Sequence, residues 1–477
     1  MLIAATVTNV GAVERRKTWR EGRWRRTVWR LAWVAALGLL TAKFLAPRAL
    51  VAYDLYRARR ALADVNLAEG LSWLQAAERR APDRADVQFL LGGVCRRSGV
   101  FRPARRHLDR SLALGYSHRE VERQEWMLLF QMGNVGGIEP LLLKLLQQGP
   151  SDELTEDIYE ALVLGYLSDH RAREAGAVSD HWVRLRPESL RARLARAHLY
   201  GAANDTEKLQ STLREVLQID PRRVRERLRL AQLLLEQKRV DEALAECEIC
   251  RQLAPGDPNL SMRLGACYFQ LGRLDEAKRE LNSALLSEGL DRVTRLEALT
   301  IMGQIASGER DFEAAKRYCK EALELRPYDA TAAYGLGMAL SKLGEHELAQ
   351  EYLKRSQRLL DQDQRIVEIN HALIDSAGNV TLRLEMAHLL VDQGRQAEAA
   401  AWMQMVLRYA PECREAHEFL AEFYEKLAQP ELAQGYREAL AEMEASDAPA
   451  AAEDTAAAEG GGEPAALTRQ TQVRDPQ

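Results

Sequence analysis

The sequence predicts an all-α solenoid of about eleven helix-turn-helix units, and three observations carry that expectation. From Val224 to Asp291, two consecutive blocks of 34 residues share one pattern with no residue between them. Prolines punctuate the chain at the same period, with Pro187, Pro221 and Pro255 spaced by 34 and Pro82 and Pro150 by twice that. Composition agrees: 47% of the 477 residues are hydrophobic but only 6% aromatic, the alanine- and leucine-rich mix that close helix packing favours. No strand-like alternation competes with the helical spacing.

In the first block, Leu230, Ala231, Leu234, Ala243, Cys247, Cys250 and Pro255 mark the pattern; in the second, Leu264, Gly265, Tyr268, Ala277, Leu281, Ala284 and Gly289 fall at the same offsets. A turn splits each block, at Gln237-Lys238-Arg239 and at Leu271-Gly272-Arg273. This pattern resembles the tetratricopeptide repeat, whose period is 34 residues. The resemblance covers roughly residues 51–445. It implies a right-handed solenoid whose first helices line a concave groove for extended peptides or helices.

Taken in order, residues 1–27 form a basic segment rich in arginine, with tryptophans at 19, 24, 29 and 33 interleaved there and just beyond. An uncharged run, Leu31 to Ala42, follows. Counted over 28–51, with Arg30 and Arg48 snorkelling at either end, it reaches the length of a transmembrane signal anchor. The basic flank then puts the N-terminus in the cytoplasm and the repeats outside the membrane. Competing readings are a cleaved signal peptide and an amphipathic helix that lies on a membrane or caps the solenoid, the last leaving the repeats cytoplasmic.

Repeat blocks are expected to begin near 51, 85, 119, 156, 190, 224, 258, 296, 330, 380 and 414. Glycine or alanine at the eighth position (Gly92, Ala231, Gly265, Gly303, Gly337, Ala387, Ala421) and alanine at the twentieth let paired helices approach closely. The block at 119 breaks the rule, placing Trp126 at its eighth position. Between Gln364 and Asn379 the phase slips by about 16 residues, and the apolar content of that stretch predicts a lengthened helix or a seam between sub-arrays. From 446 to 477 the chain turns to Ala, Glu, Gly and Pro with few large apolar residues, the composition of a disordered tail.

The formal net charge is -4, from 66 basic and 70 acidic groups, which predicts no nucleic-acid partner. Six scattered cysteines form no disulfide framework. Cys247-Glu248-Ile249-Cys250 is a CxxC, but its thiols occupy core positions on one helix and no second pair stands at zinc-site spacing. The nine histidines form no paired-ligand motif, and no phosphate loop or nucleophile elbow appears. The chain is therefore expected to be no enzyme and to need no metal or cofactor.

Repeat-bearing sugar transferases need a catalytic domain for which no stretch is long enough. Membrane-anchored regulators of lipopolysaccharide assembly carry a C-terminal cysteine-rich module that this tail lacks.

Carried onto the repeat positions that face the groove, the resemblance implies Arg191, Leu194 and His198, then Arg225, Leu228 and Gln232. Met262, Ala266, Phe269 and Gln270 come next, then Thr300 and Gln304, then Tyr334, Met338, Ser341 and Lys342. As candidate peptide-binding residues, Arg191, Arg225, Met262, Phe269, Gln270, Tyr334, Met338 and Lys342 suit a peptide with apolar side chains and some acidic character. The alternative for each is packing between repeats, and the Arg222–Arg229 cluster reads as a solvated helix face. The function expected is a membrane-anchored scaffold for a protein or peptide partner. A regulatory subunit of an envelope or polysaccharide assembly complex, or a soluble or secreted repeat protein, are the alternatives. Oligomeric state is left open by the sequence.

Overall fold

In the computed structural model the described residues are 48–458, and among them the secondary structure is helical throughout, with no strand. The chain divides into two compact units, Met1–Ala202 and Ala203–Gln477. The first holds α1 (48–63), α2 (Leu67–Arg80), α3 (Ala85–Arg97), α4 (Phe101–Ala113), α5 (His118–Gln131), α6 (Val135–Gln147), α7 (Asp152–Ser168), α8 (Ala172–Leu185) and α9 (Leu190–Ala202). The second opens with α10 (Thr206–Ile219), α11 (Val224–Glu236), α12 (Val240–Leu253), α13 (Pro258–Gln270), α14 (Leu274–Leu285), α15 (Arg292–Gly308) and α16 (Phe312–Leu325). It continues through α17 (Ala330–Lys342), α18 (His346–Asp375), α19 (Val380–Asp392), α20 (Gln396–Tyr409), α21 (Arg414–Lys426) and α22 (Pro430–Ala458).

Each expected block start falls at or within one turn of the start of an odd-numbered helix. The chemistry at the helix ends explains why. Asp257, Asp329 and Asn379 accept a backbone N–H from the first turn of α13, α17 and α19, supplying one of the donors a helix start leaves unpaired. Between the helices of a pair, one residue turns left-handed, Lys238 at φ 62 and Gly272 at φ 72. Glycine does this at no steric cost.

Packing follows the small-residue positions. A Cβ at Gly265 would lie 2.6 Å from Leu281 Cγ, and one at Gly337 would lie 2.9 Å from Leu353 Cγ. Across each interface an alanine at the twentieth position is sealed in, as at Ala104, Ala243, Ala277 and Ala315. With Trp126 in place of a small residue, α5 and α6 instead leave a groove of about 190 Å³ lined by Arg123, Trp126, Leu141 and Lys144 among others.

Two block starts differ from the expectation by one turn. The pattern places them at 156 and 296, but α7 and α15 begin at Asp152 and Arg292 and run to 17 residues each. Ser151 and Asp291 cap those earlier starts. The inserted residues are thus an added first turn. The larger slip is absorbed by α18, which continues unbroken for 30 residues, about 45 Å. Its second half sends Ile369 and Leu373 into a core with Met386, Leu390, Met403 and Val406. Where α18 ends, the buried Arg383 guanidinium donates from Nε to the Ala377 carbonyl at 3.0 Å and lies over the Tyr409 ring. That pins the turn into α19.

The expected membrane arrangement is corrected. Among the described residues no helix is long and apolar enough to cross a membrane. Residues 1–47, which include most of the expected span, lie outside the described residues. The last positions of that span open α1, an amphipathic repeat helix that buries Val51, Leu55 and Ala58 and turns Arg59 and Arg60 outward. A single-pass protein with repeats beyond the membrane is therefore not the arrangement supported here. At the other end, α22 runs on to Ala458, into the alanine-rich stretch, as the helix propensity of alanine allows.

Candidate functional site

The odd-numbered helices of each unit pack against one another in succession, α3 on α5, α5 on α7 and α7 on α9, then α11 on α13, α13 on α15 and α15 on α17. Their shared face is where a groove would lie, and the two units fill it differently.

In the first unit the face is occupied by the protein's own charges. Arg96 is fully buried; its Nε donates to Gln124 Oε1 at 2.9 Å and its Nη1 to Gln131 Oε1 at 3.0 Å. Arg97 Nε reaches past α5 to Glu160 Oε2 at 2.8 Å. From the far side, Arg191 Nη2 donates to Asp157 Oδ1 and Glu160 Oε2, both at 2.6 Å. Burial on its own would raise the pKa of Asp157 and Glu160. Arg191, Arg96 and Arg97 more than offset it, so both carboxyls are held below their ordinary range. Burial pulls the Arg96 guanidinium down and its carboxylate neighbours only partly restore it. Paired this way the buried charges are tolerable, and they leave Arg191 engaged inside the unit.

In the second unit a similar pair is smaller. Arg263 on α13 forks onto Glu297 on α15, at 2.8 and 3.3 Å. Met262 is fully buried and Ala266 and Leu228 are buried, so these three belong to the packing between helices. Arg225 and Gln270 are exposed and Phe269 and Gln232 half-buried. Gln270 Nε2 donates to the Leu235 carbonyl at 3.4 Å. Thr300 spends its hydroxyl on the Leu296 carbonyl, 2.9 Å away, while Gln304 is exposed.

The open part of the face is on α17. Tyr334 is 54% and Met338 37% exposed, and Lys342 is exposed after them. Spaced by four, the three side chains stand along one side of the helix. The Arg222–Arg229 cluster is largely tied up: Arg223 pairs with Glu226, Arg227 with Glu246, and Arg229 donates to Gln232.

Sequence reasoning picked Arg191 but missed its partners Asp157 and Glu160, together with Arg96, Arg97 and the Arg263–Glu297 pair. A signal was present. Asp157 and Arg191, and Arg263 and Glu297, are opposite charges 34 residues apart, the spacing that sets them side by side on neighbouring repeats.

Cys247, Cys250, Cys267 and Cys319 are free and buried. Burial pushes the Cys250 and Cys319 thiols up to about 11, away from nucleophile chemistry. Among the described residues no group of His, Cys, Asp and Glu is arranged to hold a metal ion.

The geometry thus defines stacked helical hairpins with an inner face that is filled in one unit and partly open in the other. Two family models, each described as Tetratricopeptide repeat, match the chain, one over residues 248–299 and 306–368 and the other over 194–258. Over those residues the chain matches the tetratricopeptide repeat.

No curated protein matches it. Among solved structures it is similar to the APC/C hetero-tetramer Cut9-Hcn1, at 14% identity, covering 80% of this chain and 88% of that one with a TM-score of 0.36. Yeast Tom70 gives 12% identity, 82% and 91% coverage and a TM-score of 0.33. PilW, a type IV pilus biogenesis factor, gives 19%, 43% and 91% with a TM-score of 0.36. Likenesses this loose carry no argument about what the chain binds.

Proposed function

We propose that the chain is a non-catalytic scaffold that holds a segment of a partner protein on the odd-helix face of its second unit. Arg225, Phe269, Gln270, Tyr334, Met338 and Lys342 are the contact residues in this reading, with Met262 backing them from within the packing. The observation that supports it is the exposure of Tyr334, Met338 and Lys342 in a row on α17: an aromatic, a thioether and an ammonium. Tyrosine and methionine are adaptable apolar anchors for a helix or extended peptide. Lys342 and Arg225 suit a segment with acidic residues.

Covalent capture from native extracts, followed by binding measurements with the purified partner, tests the reading. A Tyr334→Asp/Met338→Asp variant should keep its helical circular dichroism and lose at least about tenfold in affinity. A partner bound equally well by this variant would remove the face from consideration.

A further inference from the structure

A stack of repeats has two ends, and each end bares the surface that another repeat would cover. Here the two ends are unlike in charge. Residues 48–63, which form α1, carry four basic groups against one acidic. Residues 412–444, spanning α21 and the first half of α22, carry three basic against nine acidic groups.

Both ends also expose large apolar side chains. On α1, Leu50, Tyr53 and Tyr56 are each about half exposed, Tyr56 at 59%, beside the exposed Arg59 and Arg60. At the α21–α22 end, Leu427 and Leu432 are each 50% exposed, and Glu438 and Glu442 follow one turn apart on α22. Next to Leu427, a cavity of about 270 Å³ is floored by Phe419 and Phe423 and rimmed by Glu422 and Lys426, open enough for an aromatic side chain.

We infer that these ends dock on one another between copies: the basic, tyrosine-bearing α1 face of one molecule covers the acidic, apolar α21–α22 face of the next. Charge keeps the chain's own N-terminal residues off the α1 face. Those at 14–30 carry eight basic against two acidic groups and would be repelled by the arginines flanking the α1 face. Because the two faces differ, the contact is heterologous and leaves a free end of each kind after every addition. The product is a salt-sensitive head-to-tail assembly.

Sedimentation velocity of the full chain over a wide concentration range, at low and high salt, tests this. Reversible growth beyond a dimer is expected, weakening at least about tenfold in affinity at high salt. Two variants, Tyr56→Ser/Arg60→Ser and Leu432→Lys/Glu438→Lys, change exposed side chains only and should retain wild-type helicity. Each alone should stop growth. Mixed in equal amounts they should form a one-to-one dimer and nothing larger, since each keeps one intact end. A chain that stays monomeric, a closed dimer that the mixing experiment does not reproduce, or growth indifferent to both variants would overturn the inference.

Discussion

The Asp157 and Glu160 carboxylates link stability to pH. Their folded pKa values lie below the ordinary ones because Arg191, Arg96 and Arg97 outweigh burial, whereas in the unfolded chain they would titrate near about 4. A depressed carboxyl contributes stability that is fully present above its unfolded pKa and is lost as pH falls through the folded one. Thermal unfolding followed between neutral pH and about pH 3 should therefore show wild-type stability falling steeply below about pH 4. An Asp157→Asn/Glu160→Gln variant should start lower at neutral pH and fall less on acidification. Equal slopes would mean that other carboxylates, such as the depressed Asp86 and Glu174, carry the dependence. At this scale the sequence was partly legible. Arg191 was picked out as polar and inward, but whether an inward arginine meets a ligand or a carboxylate depends on which residue stands one repeat away.

Helix boundaries carry the next lesson. Asp291 holds two backbone donors of α15, Val293 N and Thr294 N, each at 3.0 Å, and its other oxygen accepts from the Thr294 hydroxyl at 2.7 Å. Replacing it with alanine should cost about 1 kcal/mol, measured by urea denaturation, and should fray the added turn first in hydrogen exchange. That turn was invisible to pattern matching because the small and large positions that define a block start after it; Gly303 counts back to 296, not to 292. The long α18 was more legible, since Ile366, Ile369 and Leu373 keep helical spacing straight through the lost phase. Met262 shows the converse limit: its repeat position names the inner face, yet the depth of packing there leaves no surface to offer.

For the whole molecule, period and breakers made the architecture readable, because every unit obeys the same local rules and needs only its neighbours. What the sequence could not show is that the units are not equivalent. The charges paired one repeat apart give the array an internal order, and this bears on how such a gene can change. Loss of a repeat by recombination between similar segments is a natural accident in tandem sequences, and its outcome here depends on which repeat goes. Excising 258–291 would keep the helix phase and set Arg229 where Arg263 had faced Glu297, preserving an opposite-charge pair. Excising 292–329 would also join helix to helix, but would leave the nearly buried Arg263 facing Gly335. The first deletion should fold with a cooperative melt and the second should melt earlier and more broadly by calorimetry, so the ion pairs would tie stability to the order of the repeats.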